Sequence, residues 1–538
     1  MKDISSTGSF INFYLNNYIY VDKTQYIRDL IKLERVFISR PRRFGKSLTL
    51  DTIATLFETG VEPYFKGTWI YDKWTEPTYP VLRLNFLDLD KYSLEHFKQK
   101  LNAIISSFAR DINVKNYEEK VEPEDTIYFL LDELRKEKRQ IVILIDEYDC
   151  QMTANINNET LYKQFQEKIK SFYATIKNKW AIKFLLITGV TKTKNSSVFS
   201  GTDINDITNY SPYSQMIGFT RDEIKKYYID YLKLASSYEN NCSVDNVTDE
   251  QIESMLDMMA QNYDGYCFDE FYKKKVFSTW SVNSFFQSII ENKFVDFGDY
   301  WYDNGGLPSI LVNYLKTHKL NSLDYVEKDK TITIRVNDFK NPTSLTSINQ
   351  NVLMCQTGYL TLRSPVYSKG FMTLGIPNSE VYNALLSLMA LNIFDDTKLE
   401  NVNEQILSQS KDVGEIIELF NTVLNTVSYD NYPISSEAVV QQLLYMYLKG
   451  ICNSVSAELH SSKGRADLVI ESDNRRIVFE FKYAKNEIEA KVKLSEAIEQ
   501  IKTRDYGNIV PKKAELLRIA AVFNADPKVR AFTEYHEV

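Results

Sequence analysis

The stretch Ile141-Val142-Ile143-Leu144-Ile145-Asp146-Glu147-Tyr148-Asp149 sets the tightest limit on what this chain can fold into. Five consecutive apolar residues read as a strand buried on both faces, as in a parallel sheet covered by helices. The run ends abruptly in two acidic residues. A carboxylate at the end of a buried strand is costly unless a cation compensates it. In a nucleotide-binding sheet that cation is Mg²⁺, held by Asp146, while Glu147 is placed to orient a water for attack on a γ-phosphate. Buried strands also end in acidic turns for purely structural reasons, so the stretch needs a partner.

The partner lies upstream. Arg35-Val36-Phe37-Ile38-Ser39 reads as a second short strand, followed by Arg40-Pro41-Arg42-Arg43-Phe44-Gly45-Lys46-Ser47 and then Leu48-Thr49-Leu50. A Gly-Lys-Ser trio at a strand-to-helix junction is the core of a phosphate-binding loop. Gly45 lets backbone N–H groups approach the phosphates, Lys46 reaches the β and γ oxygens, and the Ser47 hydroxyl faces Mg²⁺. The candidate ATP-contacting set is Arg42, Arg43, Phe44, Gly45, Lys46, Ser47, Leu48 and Asp146, with Ser47 and Asp146 on the metal. The general pattern has a glycine where this chain has Arg40. Ile182 to Gly189 reads as a further strand; its Thr188 is either a polar sensor near the γ-phosphate or simply a Thr opening a loop.

Composition narrows the class. At 538 residues a single core is excluded, and several domains are expected. Apolar runs reach strand length only, far short of the roughly 18 residues that suggest a membrane span. No membrane partner is expected. The N-terminus lacks a signal-peptide pattern. Cys150, Cys242, Cys267, Cys355 and Cys452 form no C-x-x-C pair, which points to a reducing, cytoplasmic setting without a zinc site. A net charge of −8 does not advertise nucleic-acid binding, although residues 1–50 carry nine Lys/Arg against four Asp/Glu.

The C-terminal part carries a second chemistry. Gly464-Arg465-Ala466-Asp467-Leu468-Val469-Ile470 reads as a strand, Ser472-Asp473-Asn474 as a turn, and Arg476-Ile477-Val478-Phe479-Glu480-Phe481-Lys482 as a second strand. Glu480 and Lys482 share one face, Phe479 and Phe481 the other. A tight hairpin brings Asp467 beside Glu480. Both carboxylates then converge on one divalent ion, with the Phe481 carbonyl and waters completing an oxygen shell suited to Mg²⁺. Lys482 beside it orients the attacking water. Surface hairpins with E-x-K are common, so the motif alone is degenerate.

Together these strings, with Tyr20-Val21-Asp22-Lys23-Thr24, Thr188-Gly189-Val190, Ser197-Val198-Phe199-Ser200, Asp206-Ile207-Thr208, Gly265-Tyr266, Gln356-Thr357-Gly358-Tyr359-Leu360-Thr361 and Gly375-Ile376-Pro377-Asn378, resemble the prokaryotic AAA-like ATPase family that carries a C-terminal PD-(D/E)XK nuclease-like domain. In that family the Arg-Pro-Arg-Arg-Phe-Gly-Lys-Ser loop is the usual form. The resemblance covers nearly the whole chain. It implies an α/β architecture with an ATPase and a nuclease-like domain, and the pattern along the chain lays this out as a P-loop (AAA-like) parallel-sheet ATPase domain over 1–230, a helical lid region over 231–321, a small winged-helix-like domain over 322–385, a helical connector over 386–430 and an α/β PD-(D/E)XK nuclease-like domain over 431–538. The aromatic residues Phe271, Phe277, Trp280, Phe285 and Phe286 read as core, residues 301–308 as a turn-rich break, and Ser408 to Asp412 as a loop. A helix near 347–356 ahead of a hairpin would give the winged-helix-like part a surface for DNA or a partner.

The resemblance adds two catalytic candidates. Glu437 opens the helix before the hairpin and is either a further carboxylate or a charge complementing the helix dipole. Gln500, ahead of Tyr506, matches the family's helix after the catalytic strand, or else faces solvent. The expected function is ATP binding and hydrolysis (Lys46, Ser47, Asp146, Glu147, with Arg42, Arg43 or Arg221 assisting) coupled to Mg²⁺- or Mn²⁺-dependent cleavage of nucleic acid, DNA ahead of RNA, by Asp467, Glu480 and Lys482. A homo-oligomer is compatible with this. The alternative is a nucleotide-dependent switch that binds nucleic acid or a protein without cutting.

Overall fold

The computed structural model describes residues 2–177, 179–193, 204–301, 309–315, 325, 329–367, 370–394, 407, 410–427, 433–451, 460–461, 464–465, 467–471, 474–504 and 515–538. Outside them lie Ser197-Val198-Phe199-Ser200, residues 302–308 of the turn-rich break, Ser408, Gln409, Cys452, Ala466, Ser472, Asp473 and Tyr506. The chain divides into two compact units: Met1–Leu320 with Asp329–Tyr382, and Asn321–Lys328 with Asn383–Val538.

The first unit is built on a parallel sheet. Strands β1 (Arg35–Ser39), β2 (Val81–Asn85), β3 (Ile141–Asp146), β4 (Ile182–Gly189) and β5 (Asn205–Asp206) run in the order β2-β3-β4-β1-β5. Every neighbouring pair is parallel. Every residue of β1 and β3 is buried, as continuous apolar runs demand of a sheet covered on both faces. Helix α1 (Lys46–Thr59) starts directly after Gly45, whose φ of +98° a side chain would resist. Helices α2 (Leu94–Asp111), α3 (Pro123–Lys136) and α4 (Glu159–Ile176) complete the layers. In α2 the residues Phe97, Leu101 and Ile105 recur every four positions and form one buried stripe.

A helical group follows: α5 (Arg221–Tyr227), α6 (Ile229–Glu239), α7 (Asp249–Tyr263) and α8 (Thr279–Asn292). Thr220 and Thr248 each close a capping box, which fixes where α5 and α7 begin. Tyr228, Tyr231, Phe277, Phe285 and Phe286 share one core. Phe271 does not belong to it. It is 55% exposed, because the buried Asp269 carboxylate gathers the N–H groups of Phe271, Lys273 and Lys274 into a turn that turns the ring outward.

Next come β6 (Ile332–Arg335), α9 (Gln350–Thr357), β7 (Thr361–Leu362) and β8 (Phe371–Gly375), an antiparallel sheet in the order β6-β8-β7 with a helix before the hairpin. No residue of α9 is exposed. The Gln356 amide accepts from the Lys192 N–H at 3.1 Å and donates to the Lys192 carbonyl at 2.9 Å. The helix and hairpin expected of a winged-helix-like part are present in that order, with the helix packed within its own unit. Helix α10 (Ser379–Ile393) starts after the Gly-Ile-Pro-Asn string.

Strings far apart in the chain meet here. The Asn378 side chain donates to the Asp264 carbonyl at 2.7 Å, and the Cys267 N–H donates to Thr361 Oγ1 at 2.8 Å.

In the second unit, β9 (Leu468–Glu471), β10 (Arg475–Ala484), β11 (Glu515–Asn524) and β12 (Ala531–Glu537) form a mixed sheet in chain order. β10 and β11 are parallel; the outer pairs are antiparallel. The strand proper thus begins at Leu468, not at Gly464. One face packs Val478 and Ala520 against Ala497 and Ile501 of α13 (Glu487–Arg504). On the other, Phe479, Phe481 and Phe532 surround Phe420 of α11 (Val413–Asn425). Helix α12 (Glu437–Ile451) leads into the sheet.

Gly265 has φ +95°, and a Cβ there would lie 2.2 Å from the Pro377 carbonyl oxygen. Backbone cannot yield as a side chain can, so strain and overlap add. Gly265→Ala should destabilise the first unit by about 2 kcal/mol or more, read as a lowered melting temperature; an unchanged melt would show that the two segments are free to separate.

Candidate functional sites

In the first unit β4 lies between β1 and β3, and its register sets Thr188 opposite Ile38. Three strand ends therefore meet at Asp146. Ser47, in the first turn of α1, donates its hydroxyl to Asp146 Oδ2 at 2.6 Å. Thr188 donates to Asp146 Oδ1 at 2.5 Å, and the Glu147 N–H reaches the same oxygen at 3.0 Å. The buried Lys46 ammonium donates to the carbonyls of Arg40 and Pro41 at 3.1 and 3.2 Å and sits 3.6 Å from Glu147 Oε1. Glu147 adopts φ +51°, unusual for a non-glycine residue, which swings its side chain off the strand axis toward the loop. Burial pushes its carboxyl above the usual range, and Lys46 opposes that shift.

A cavity of about 470 Å³ opens at this point. Arg42, Arg43, Gly45, Lys46, Ser47, Leu48 and Glu147 line it. Thr188 is not in the wall and acts on it through Asp146. The Phe44 side chain is buried against Tyr266 and Phe268, so only its backbone can serve a phosphate. Arg221 is spent elsewhere, its guanidinium held by Glu253 and Asp257 at 2.6 and 2.7 Å. Of the three arginine candidates, Arg42 and Arg43 remain at the cavity.

Sequence reasoning missed Ser5, Ser6, Thr7 and Gly8 from the N-terminus and Thr279 from α8, and it read as core Trp280, which is half-buried and lines the cavity instead. Only the hydroxyl-rich run 5–8 gave any signal. Arg40, standing where a glycine is usual, is 1% exposed and stacks its guanidinium 4.2 Å over the Phe268 ring. Its Nη1 donates to the carbonyls of Ser39 and Thr208, so here a side chain braces the loop from behind. Burial lowers its pKa to about 9.

In the second unit the hairpin places Asp467 beside the end of β10: the Phe481 N–H donates to Asp467 Oδ2 at 2.8 Å. Lys482 Nζ lies 2.8 Å from Glu480 Oε1, 3.0 Å from the Phe481 carbonyl and 3.3 Å from Glu437 Oε1. Glu480 is fully buried, and among the described residues its Oε2 has no hydrogen-bond partner. Burial, then the neighbouring Asp467 charge, push its carboxyl up to about 7 despite Lys482. Lys482 itself is held above the usual ammonium range: burial lowers it, and Glu480, Glu437 and Asp467 more than offset that.

The structure thus brings Asp467, Glu480, Phe481, Lys482 and Glu437 together. Gln500 is half-buried on α13, which packs on the Val478 face of the sheet. Gln441, one turn after Glu437, was missed; its amide donates to the Asp467 carbonyl and ties α12 to the hairpin. Among the described residues no three or more His, Cys, Asp or Glu side chains are grouped to hold a metal. The donor set is two carboxylates and a backbone carbonyl, which leaves positions for water or substrate.

Thr188→Val keeps the shape of the side chain and removes the donor to Asp146. It should lower stability by about 1–3 kcal/mol, read by thermal melting without nucleotide. An unchanged melt would mean Asp146 does not depend on that hydroxyl.

Comparison with known proteins fits this geometry. Residues 5–199 match the family described as predicted AAA-ATPase, and residues 435–532 match the PD-(D/E)XK nuclease superfamily. An uncharacterized protein in the vnfD 5′ region of Azotobacter chroococcum mcd 1 is 25% identical over 533 residues, covering 95% of this chain and 94% of that one. The solved structure of Cdc6p from Pyrobaculum aerophilum aligns over 68% of this chain and 93% of its own at 10% identity, with a TM-score of 0.23. No helix among the described residues is long and apolar enough to cross a membrane. The chain joins an N-terminal AAA-ATPase-like domain to a C-terminal domain of the PD-(D/E)XK nuclease superfamily.

Proposed function

We propose that the chain binds and hydrolyses ATP in residues 1–230 and cleaves nucleic acid, DNA ahead of RNA, in residues 431–538, in the cytoplasm. What carries the first half is the meeting of Lys46, Ser47 and Glu147 in the wall of one cavity of about 470 Å³, with Asp146 directly behind Ser47. The Ser47 hydroxyl and the Asp146 carboxylate are the hard oxygen donors that Mg²⁺ requires; once bound, Mg²⁺ would neutralise charge on the β- and γ-phosphates. Lys46 is extended across the loop, its ammonium on two carbonyls, and exchanges those weak acceptors for phosphate oxygens. Glu147 holds the attacking water. Arg42, in the wall, adds positive charge where it develops.

What supports the second half is Glu480 Oε2, buried and unpartnered beside Asp467. A buried polar atom without a partner is costly, and a divalent cation between Asp467, Glu480 and the Phe481 carbonyl removes that cost. The cation would polarise a phosphodiester and its attacking water. Lys482, kept cationic by three carboxylates, orients that water or the phosphate. A second reading is a nucleotide-dependent switch with a silent C-terminal site. It draws on the Lys482 ammonium, which rests on Glu480 Oε1 and the Phe481 carbonyl, two of the atoms a metal needs.

Two measurements decide. Glu147→Gln should retain ATP while hydrolysis falls at least about 100-fold; unchanged turnover removes Glu147 from the reaction. Cleavage of single- and double-stranded DNA and of RNA with Mg²⁺ or Mn²⁺ should vanish in Asp467→Ala and leave ATP turnover intact. A metal binds the ionised carboxylate, and Glu480 holds its proton below about pH 7. Metal-dependent cutting should therefore rise from pH 6 to pH 8. No cutting at any pH, with ATP still bound, leaves the switch.

A further inference from the structure

The phosphate loop is held from outside by donors that its own motif does not supply. Arg43 adopts φ +70°, a left-handed backbone that a non-glycine side chain resists. Its carbonyl receives the Thr279 hydroxyl at 3.0 Å and the Trp280 N–H at 3.3 Å, while its guanidinium stacks 4.0 Å over the Trp280 ring. The neighbouring Arg42 carbonyl receives the Trp301 indole N–H at 3.4 Å. Gly358 admits Pro41 so closely that a Cβ would lie 2.9 Å from it and 3.4 Å from the Trp301 ring.

These donors sit on two segments, the start of α8 and Trp301, and one buried carboxylate joins them. Glu380, 1% exposed in the first turn of α10, accepts the Trp301 N–H on Oε1 at 2.8 Å and the Ser281 hydroxyl on Oε2 at 2.8 Å. Ser281 follows Thr279 and Trp280 on α8. We propose that Glu380 is a positioning residue for the phosphate loop: by clamping α8 to Trp301 it fixes the carbonyls of Arg42 and Arg43, and with them the reach of Lys46 and Ser47. It touches no nucleotide. The inference rests on the ATP reading of the cavity and assigns to that reaction a residue far outside the loop and strand motifs.

The test uses the full-length protein. E380Q keeps size and shape but removes the charge and replaces one accepting oxygen by a donor, so either Trp301 loses its acceptor or the Ser281 hydroxyl must turn from donor to acceptor. Sites are counted by titration with the non-hydrolysable analogue AMP-PNP, and ATP turnover is expressed per titrated site. Expected is a kcat about 10-fold lower or less, with KM little changed, because a small misplacement of the loop acts most on the transition state. W301F, which lacks the indole donor to Arg42 and part of the ring volume buried against Tyr359, should move kcat the same way, and E380Q with W301F together should lose little more than W301F alone. A residue that merely stabilises the fold would lower the number of titrated sites and leave kcat per site unchanged. That result, or additive losses in the double variant, overturns the proposal. If E380Q does not fold, Ser281→Ala and W301F carry the same comparison. A wild-type chain that binds neither ATP nor AMP-PNP overturns the ATP reading and this inference with it, whereas wild-type turnover with an unaffected E380Q overturns the inference alone.

Discussion

The Asp146 carboxylate is the constraint on which the N-terminal unit depends. It is 8% exposed at the end of a strand with no exposed residue, where an unpartnered carboxylate would be costly. Its partners come from three places: Ser47 on α1, Thr188 at the end of β4, and the next N–H in its own chain. Satisfying one buried acid therefore ties the start of α1 and the end of β4 to the end of β3. β4 has to lie beside β3 for Thr188 to arrive. The same acid holds the Ser47 hydroxyl at the cavity, so the interaction that makes the sheet end tolerable is also the one that prepares the site.

Much of this was legible in residue order. The strands at Ile141 and Arg35, the helix after Gly45 and the Glu480/Lys482 alternation follow from burial period and from the freedom of glycine, which are local properties. What was not legible depends on distant chain. Thr279 completes the cavity because the fold carries it there, and nothing in its own spelling announces it. Phe271 misled because an aromatic residue in an apolar stretch reads as core, whereas the Asp269 side chain had already claimed the backbone for a turn. Arg221 misled because a charge near the right place in sequence is satisfied by its nearest acids, Glu253 and Asp257, one helix away.

The loop itself shows why a motif can depart from the common pattern and still hold its shape. Without a glycine at position 40, the turn is braced by a buried guanidinium on Phe268 and by carbonyl contacts to Ser39 and Thr208. Arg43, left-handed without being glycine, is held by Thr279 and Trp280. Backbone freedom has been exchanged for tertiary contacts, which makes the loop's geometry a property of the whole unit rather than of eight residues.

The two acidic sites are built on opposite terms. Asp146 has donors for both oxygens before any ligand arrives, so its position is set by the protein and binding requires little rearrangement. Glu480 is buried with one oxygen unpartnered, and its carboxyl is pushed up to about 7 by burial and by Asp467. Its ionisation near neutral pH is finely balanced, and a cation is what would tip it. The N-terminal site is thus prepared in advance, whereas the C-terminal site is conditional. Lys482 already supplies part of the missing charge, but a lysine on one oxygen cannot satisfy the other. A compact divalent ion with several coordination positions can reach both carboxylates at once, and it is that difference in valence and geometry, rather than the presence of acids alone, that separates a metal site from a buried ion pair.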